Sequence, residues 1–180
     1  MKHPLENFPQ QLQKRAFLFF LFLTLLIFAV FGGLDAPLQT APAPNGIVSF
    51  ELAWTARAAQ SILDSWNAQA RLFAAFGLGF DYLFMPIYAL TLSFGLLLAG
   101  RGVSPRWRNL AAWLGWGAFV AAFCDALENA ALWKMLGAGA VAPFPFFAAL
   151  FASIKFALLI CGLLAALWMS LSAQFRARVA

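Results

Sequence analysis

Residues 16–34 read AFLFFLFLTLLIFAVFGGL, and Thr24 is the only one of them whose side chain carries a polar atom. About 20 consecutive apolar residues are what a helix needs to cross the hydrocarbon core of a bilayer. A surface helix of a soluble protein keeps one polar face, and this stretch has none. The run therefore predicts a membrane-spanning helix. A basic tail before an apolar run, here Lys14 and Arg15, is also how a secretory signal peptide begins, with small residues at 40–44 as its cleavage region. The apolar run is longer and bulkier than the 7–15 residues of a signal core. An uncleaved anchor is the expectation.

Three further runs of the same kind follow, at about 72–99, 110–136 and 147–172. Across all 180 residues 63% are hydrophobic and only 11% charged, against about a quarter charged in soluble domains. That length is enough for one membrane domain and too short for two large ones. The net charge is +5, but the basic residues sit in short segments between apolar runs, a pattern of membrane topology rather than of a nucleic-acid-binding face. Lys2, Lys14 and Arg15 precede the first run, Arg101, Arg106 and Arg108 lie between the second and third, and Arg176 and Arg178 follow the fourth. The opposite side has Arg57, Arg71 and Lys134. The more basic side is cytoplasmic by the positive-inside rule, so both termini are expected on the cytoplasmic side. The expected fold is all-α: a single domain over 1–180, a four-helix transmembrane bundle with a periplasmic amphipathic helix between spans one and two.

That amphipathic helix is expected over about 46–68. The preceding 35–45, DAPLQTAPAPN, reads as a Pro-rich extended linker. Then Ile47, Phe50, Trp54, Ala58, Ile62 and Trp66 recur at helical spacing, with Glu51, Arg57, Gln60 and Asp64 mostly elsewhere. Such a helix either packs over the spans as part of the core or forms a lid over a cavity.

The informative residues are ionisable ones inside the spans. A charge at mid-bilayer costs about 2.5–3.5 kcal/mol or more, so a retained one needs a partner, water or neutralisation. At about 1.5 Å of rise per residue, Asp81 lies about 14 Å, Lys155 about 12 Å, Asp125 about 16 Å and Glu128 about 12 Å from the outer ends of their helices. All four fall at nearly one level. Asp125, Glu128 and Asn129 share one helix face at i, i+3 and i+4. Asp81 shares a face with Gly77, Met85 and Tyr88, and Lys155 one with Ala148, Ala152, Leu159 and Gly162, where small residues permit close helix approach. Lys134 points away and reaches for the interface. Pro86 leaves the Tyr82 carbonyl without its helical donor and predicts a kink beside Asp81. Three carboxyls facing one ammonium would carry net −2 if all were ionised, so one or two are expected to hold a proton.

The set Asp81, Asp125, Glu128, Asn129 and Lys155, with hydroxyls from Tyr82 or Tyr88, thus reads either as a polar site for a ligand or proton, or as a structural salt-bridge network. In the first reading Asp125 or Glu128 exchanges the proton and Lys155 is the counter-ion. Catalytic residues are not indicated: Ser93 and Ser153 have no histidine partner, the one histidine being His3 in the tail. No cofactor motif occurs, and a metal among the carboxylates would compete with Lys155 for the same oxygens. Cys124 and Cys161 fall at different depths and read as unpaired core residues.

The segments IVSFELA, AQSILDSW, LGFDYLFMPIYAL and CDALENAALW are similar to stretches of a group of functionally uncharacterised four-helix bacterial membrane proteins, a resemblance that covers the chain from about Gly46 to Phe156. The resemblance implies four spans and an inner-membrane location and brings no activity or site with it. Three functions fit the residues. The first is a membrane protein that binds or helps to transport a small polar, cationic or lipid ligand. The second is an accessory or assembly subunit, its seven Trp and 21 Phe offering surface to lipid, to a second copy or to a larger membrane complex. The third is an intramembrane lipid-modifying enzyme using carboxylates as acid and base. Membrane lipids are the expected partners, and nucleic acid is not.

Overall fold

The computed structural model describes residues 2–101 and 103–179, the last four of them by backbone alone, so the Arg176 and Arg178 side chains lie outside the described residues. Among the described residues all regular structure is helical. A 3-10 turn, Pro4–Asn7, precedes α1, Gln10–Asp35; a second, Ala36–Leu38, leads towards α2, Ile47–Glu51. Then come α3, Ala56–Ser65; α4, Ala68–Gly100; α5, Pro105–Ala138; and α6, Phe144–Val179. Helices α1, α4, α5 and α6 are the four that are long and apolar enough to cross a membrane. Each extends beyond the run read from hydropathy. At 33, 34 and 36 residues, α4, α5 and α6 are about 50 Å long, longer than the roughly 30 Å that a hydrocarbon layer requires.

Local chemistry places the helix ends. The Asn67 side chain accepts the Ala70 N–H at 2.8 Å and starts α4. Pro105 is the first residue of α5, where its missing N–H costs nothing. Beyond the end of α5, Gly139 takes a positive φ of 85° and returns its N–H to the Met135 carbonyl at 2.8 Å. Helix α4 is continuous through Pro86.

The single amphipathic helix expected over 46–68 is two helices. Trp54 adopts a positive φ of 50°, and the Thr55 side chain accepts the Ala58 N–H at 3.2 Å, capping a fresh start at Ala56. The break shifts the phase of the pattern. Phe50, Ile62 and Trp66 are buried as expected, whereas Trp54 and Ala58 are exposed and Ala59 is buried instead.

The chain divides into two compact units, and the division cuts α1, α4, α5 and α6. The terminal unit comprises 1–24, 86–122 and 156–180; the carboxylate unit comprises 25–85 and 123–155. In the carboxylate unit α2, α3 and the linker contribute Leu38, Phe50, Ile62, Leu63 and Trp66 to a core shared with Leu78, Leu132 and Met135. The Trp66 indole packs edge-on against Phe50 at 5.2 Å and donates to the Leu38 carbonyl at 2.8 Å. Gln60 of α3 accepts the Ala140 N–H at 2.9 Å, tying α3 to the segment between α5 and α6. The apolar face of the segment is therefore core.

In the terminal unit the one polar side chain of the opening run, Thr24, meets Thr91 at 2.9 Å. Thr91 gives its proton to the Ile87 carbonyl at 2.8 Å, so Thr24 must be the donor between the two. The N-terminal tail is built in as well. His3 is buried against Trp116 and Phe119, with ring centroids 5.1 and 6.0 Å away, and its Nδ1 accepts the Leu5 N–H at 3.3 Å. Burial lowers the imidazole pKa from its ordinary value, against a smaller upward pull from Glu6, and the bond at Nδ1 places the proton of neutral His3 on Nε2. Both cysteines are free thiols, Cys124 buried and Cys161 exposed.

Candidate functional site

Four elements of the carboxylate unit deliver charged side chains to one place. Helix α5 contributes Asp125 and Glu128, one turn apart on the same face. Helix α6 contributes Lys155, and its small neighbours Ala148 and Ala152 are fully buried, which lets the long side chain lie between helices. Lys155 Nζ is 2.9 Å from Asp125 Oδ1 and 2.8 Å from Glu128 Oε2. The third partner is Glu51, the last residue of α2, whose Oε2 stands 3.7 Å from the same nitrogen. Exposures are 8% for Glu51, 2% for Asp125, 0% for Glu128 and 6% for Lys155, so bulk solvent is excluded from the whole set.

A second pair completes the group. Asn129 Nδ2 donates to Asp81 Oδ2 of α4 at 2.8 Å and reaches the Leu78 carbonyl at 3.4 Å. Asn129 is fully buried while Asp81 is half-buried. Beside Asp81, the Tyr82 hydroxyl donates to the Ala126 carbonyl of α5 at 3.3 Å, and the ring is 45% exposed. Asp81 and Tyr82 form the accessible edge of a site whose interior is Glu128, Asp125 and Lys155.

The structure thus brings together Asp81, Tyr82, Asp125, Glu128, Asn129 and Lys155, as their common depth implied. Tyr88 lies further along α4, in the terminal unit, and is buried there. Glu51 is the residue that the sequence reading did not place in the site. Its signal was present: it is the one acid in GIVSFELAW, an otherwise apolar stretch, and i, i+4 spacing sets it on the same face as Ile47.

The arrangement carries more acid than base. Three carboxyls surround one ammonium, and that ammonium stands where a cation bridging them would sit. Among the described residues no group of three His, Cys, Asp or Glu side chains could hold a metal ion. Three carboxyl oxygens, Glu128 Oε1, Glu128 Oε2 and Glu51 Oε2, are buried without a hydrogen-bond partner; Glu128 Oε2 meets Lys155 Nζ as an ion pair at 2.8 Å, and the 3.7 Å from Glu51 to Nζ is too long for a hydrogen bond. A buried orphan acceptor costs about 1–3 kcal/mol, more when charged. A proton bound to one of these carboxyls converts it into a donor and removes part of that cost. Glu51 lies outside the four long helices, and burial foremost pushes its carboxyl above the ordinary range, with the charge of Lys155 opposing.

No protein-family model, no curated protein and no solved structure matches this chain.

The Glu51 environment has a measurable consequence. A carboxyl whose pKa is raised on folding binds a proton that the unfolded chain has released, so stability falls as pH rises from the unfolded value near 4.5 to the folded one. The groups that face it are Asp125, Glu128 and Lys155. Glu51→Gln is expected to flatten the decline of unfolding temperature above about pH 5 and to leave the variant at least as stable as the wild type at neutral pH. A steeper decline in the variant would show that Glu51 acts chiefly as an ionised partner of Lys155.

Proposed function

We propose that the chain is a bacterial inner-membrane protein crossing the bilayer four times, with both termini cytoplasmic and α2 and α3 on the periplasmic side. The distribution of Lys and Arg supports that orientation. Its function in this reading centres on the carboxylate–lysine group, which binds or helps to move a small polar, cationic or lipid ligand in exchange for a proton. The observation that carries the reading is the excess of buried carboxyls over ammonium. Buried ion pairs are poor stabilisers compared with well-packed apolar side chains, and ionisable groups within spans mark ligand and proton pathways. Asp81 and Tyr82 offer access, Asn129 links that edge to the interior, and Glu128 with its orphan oxygen is the acid that takes up or gives up the proton. Lys155 holds the remaining negative charge in place.

The test is the unfolding temperature of Asp81→Asn, Asp125→Asn and Glu128→Gln in mild detergent, followed by proton release from the same proteins on adding small amines and monovalent cations. Acid variants as stable as the wild type, with proton release reduced for Glu128→Gln, support a ligand site. Strong destabilisation by every acid substitution, with no proton release from the wild type, would remove the ligand reading. The second reading, an accessory subunit, would then lead. One observation favours it independently: the apolar window of α1 is only 6% buried and that of α6 only 17%, against 61% for α4, leaving two long faces free for lipid or another membrane protein. A partner co-purifying in fixed stoichiometry is its expected signature.

A further inference from the structure

The terminal unit carries a feature that the carboxylate group does not explain. A cavity of about 1250 Å³ opens there, and Lys2, Arg101 and Arg108 line it with Glu6 as the one acid. Among the described residues of the lining, three cations against one carboxylate leave a net charge of +2, so a negatively charged occupant is favoured. The walls are not polar throughout. Phe17 of α1 and Leu98 of α4 line the same space, which suits a ligand with a charged end and an apolar continuation.

The cavity also presents hydrogen-bond acceptors. Gln13 lines it and is fully buried. Its Nε2 donates to the carbonyls of Leu5 and Phe8, both at 2.9 Å, and reaches that of Glu6 at 3.4 Å. That leaves Oε1, an acceptor, without a partner. Oε1 is itself shut off from the cavity, so the acceptors the lining offers beside its cationic donors are the Glu6 carboxylate and the Asn109 amide oxygen. The complementary ligand has an anionic group and, a few atoms away, its own donors.

We infer that this cavity seats the headgroup of a membrane phospholipid: a phosphodiester held by Lys2, Arg101 and Arg108, with a donor-bearing end, glycerol hydroxyls or a primary ammonium, facing Glu6 and Asn109. Basic pockets between spans on the cytoplasmic side are suited to anionic headgroups. The net positive lining ranks phosphatidylglycerol above phosphatidylethanolamine. Phosphatidylcholine, whose quaternary ammonium donates no hydrogen bond, ranks last. The inference takes its choice of leaflet from the four-span orientation and is independent of the carboxylate group.

The experiment is native mass spectrometry of the full chain in mild detergent, with added phosphatidylglycerol, phosphatidylethanolamine or phosphatidylcholine of the same chain length, or with glycerol 3-phosphate. The wild type should retain one copy of phosphatidylglycerol, less phosphatidylethanolamine, and at least tenfold less phosphatidylcholine, and added salt should weaken retention. Arg101→Gln/Arg108→Gln should lower phosphatidylglycerol retention at least tenfold. Both arginines are exposed, so the unfolding temperature without lipid should hold; if it does not, Lys2→Gln reads the same loss from the exposed end of the chain. Equal retention of all three lipids, or of phosphatidylglycerol by wild type and variants, would overturn the proposal, because acyl packing alone would then explain binding. Glycerol 3-phosphate bound as tightly as the lipid would overturn the assignment to a membrane lipid. None of these results bears on proton release from Glu128→Gln, so failure of the lipid assignment and failure of the carboxylate-site reading are distinguishable.

Discussion

Lys155→Met is expected to destabilise the protein by about 3–5 kcal/mol, the cost of removing one partner from a buried ion group. Methionine keeps most of the length and apolar volume of the lysine stem, so the loss is electrostatic rather than a cavity. What remains is Asp125 and Glu128, 2% and 0% exposed, with no ammonium at 2.8–2.9 Å. Carboxylates in that position must either stay charged without a counter-ion or take up protons. For a chain of this size the neutral-pH loss corresponds to roughly 10 °C or more in unfolding temperature.

The contrast with the acid variants gives the experiment its value. Glu128→Gln keeps the shape of the side chain, removes one negative charge from a group that has too many, and replaces an orphan oxygen with an amide. Its expected effect is within about 1 kcal/mol of zero, in either direction, as for buried ions exchanged for neutral groups of similar size. A large loss for Lys155→Met together with a small one for Glu128→Gln is the signature of an excess-acid site. Equal, large losses for both describe a balanced structural network. A loss under about 1 kcal/mol for Lys155→Met would mean that the carboxyls are already neutral and need no counter-ion.

How much of this was legible in the sequence differs by element. The four long helices were, because an uninterrupted apolar run has one physical reading at that length. Their ends were not, since Gln10–Arg15 and Ala68–Arg71 are polar enough to fall outside a hydropathy run yet helical in the structure. The meeting of Asp125, Glu128 and Lys155, and of Asp81 with Asn129, followed from helical rise alone, which set the charged residues at one depth. Glu51 was missed for a definite reason. In a single helix over 46–68 it stands four residues after Ile47 and three before Trp54, on the apolar face, but as an acid it reads with Arg57, Gln60 and Asp64 rather than with that face; the break at Trp54 and Thr55 was not legible at all. A positive φ at a tryptophan has no sequence signature. His3 escaped for a related reason: a histidine two residues from the N-terminus reads as solvated tail, and its burial depends on Gly115, whose missing side chain leaves room for the ring. A Cβ there would come within 3.3 Å of His3 Cδ2.

Gly46→Ala is the second substitution with a large expected effect, and it tests how α2 is held over the site. Gly46 immediately precedes α2 with φ 54° and ψ −127°, a conformation that side-chain-bearing residues avoid. An added Cβ would also run into the Asp35 carboxylate. That carboxylate is not incidental. Asp35 ends α1, the end of a helix where a negative charge is unfavourable, yet its Oδ1 accepts the Ile47 N–H at 2.7 Å and its Oδ2 is within 3.4 Å of Gln39 Nε2. One side chain thereby closes the loop from the end of α1 to the start of α2, and four residues beyond Ile47 stands Glu51. Alanine at 46 brings backbone strain of about 1–3 kcal/mol and displaces a charge-assisted hydrogen bond, so a total of about 2–4 kcal/mol is expected. Asp35→Ala should lose less, about 1–2 kcal/mol, because it removes the bond without straining the backbone. The two changes break the same clamp, so the double variant should fall short of the sum. If the clamp sets the position of Glu51, Gly46→Ala should also flatten the pH dependence of stability in the manner of Glu51→Gln, although residue 46 does not titrate. Loss of stability with the wild-type pH dependence intact would confine the clamp to the loop itself, leaving the packing of Phe50 against Trp66 as what holds Glu51 on Lys155.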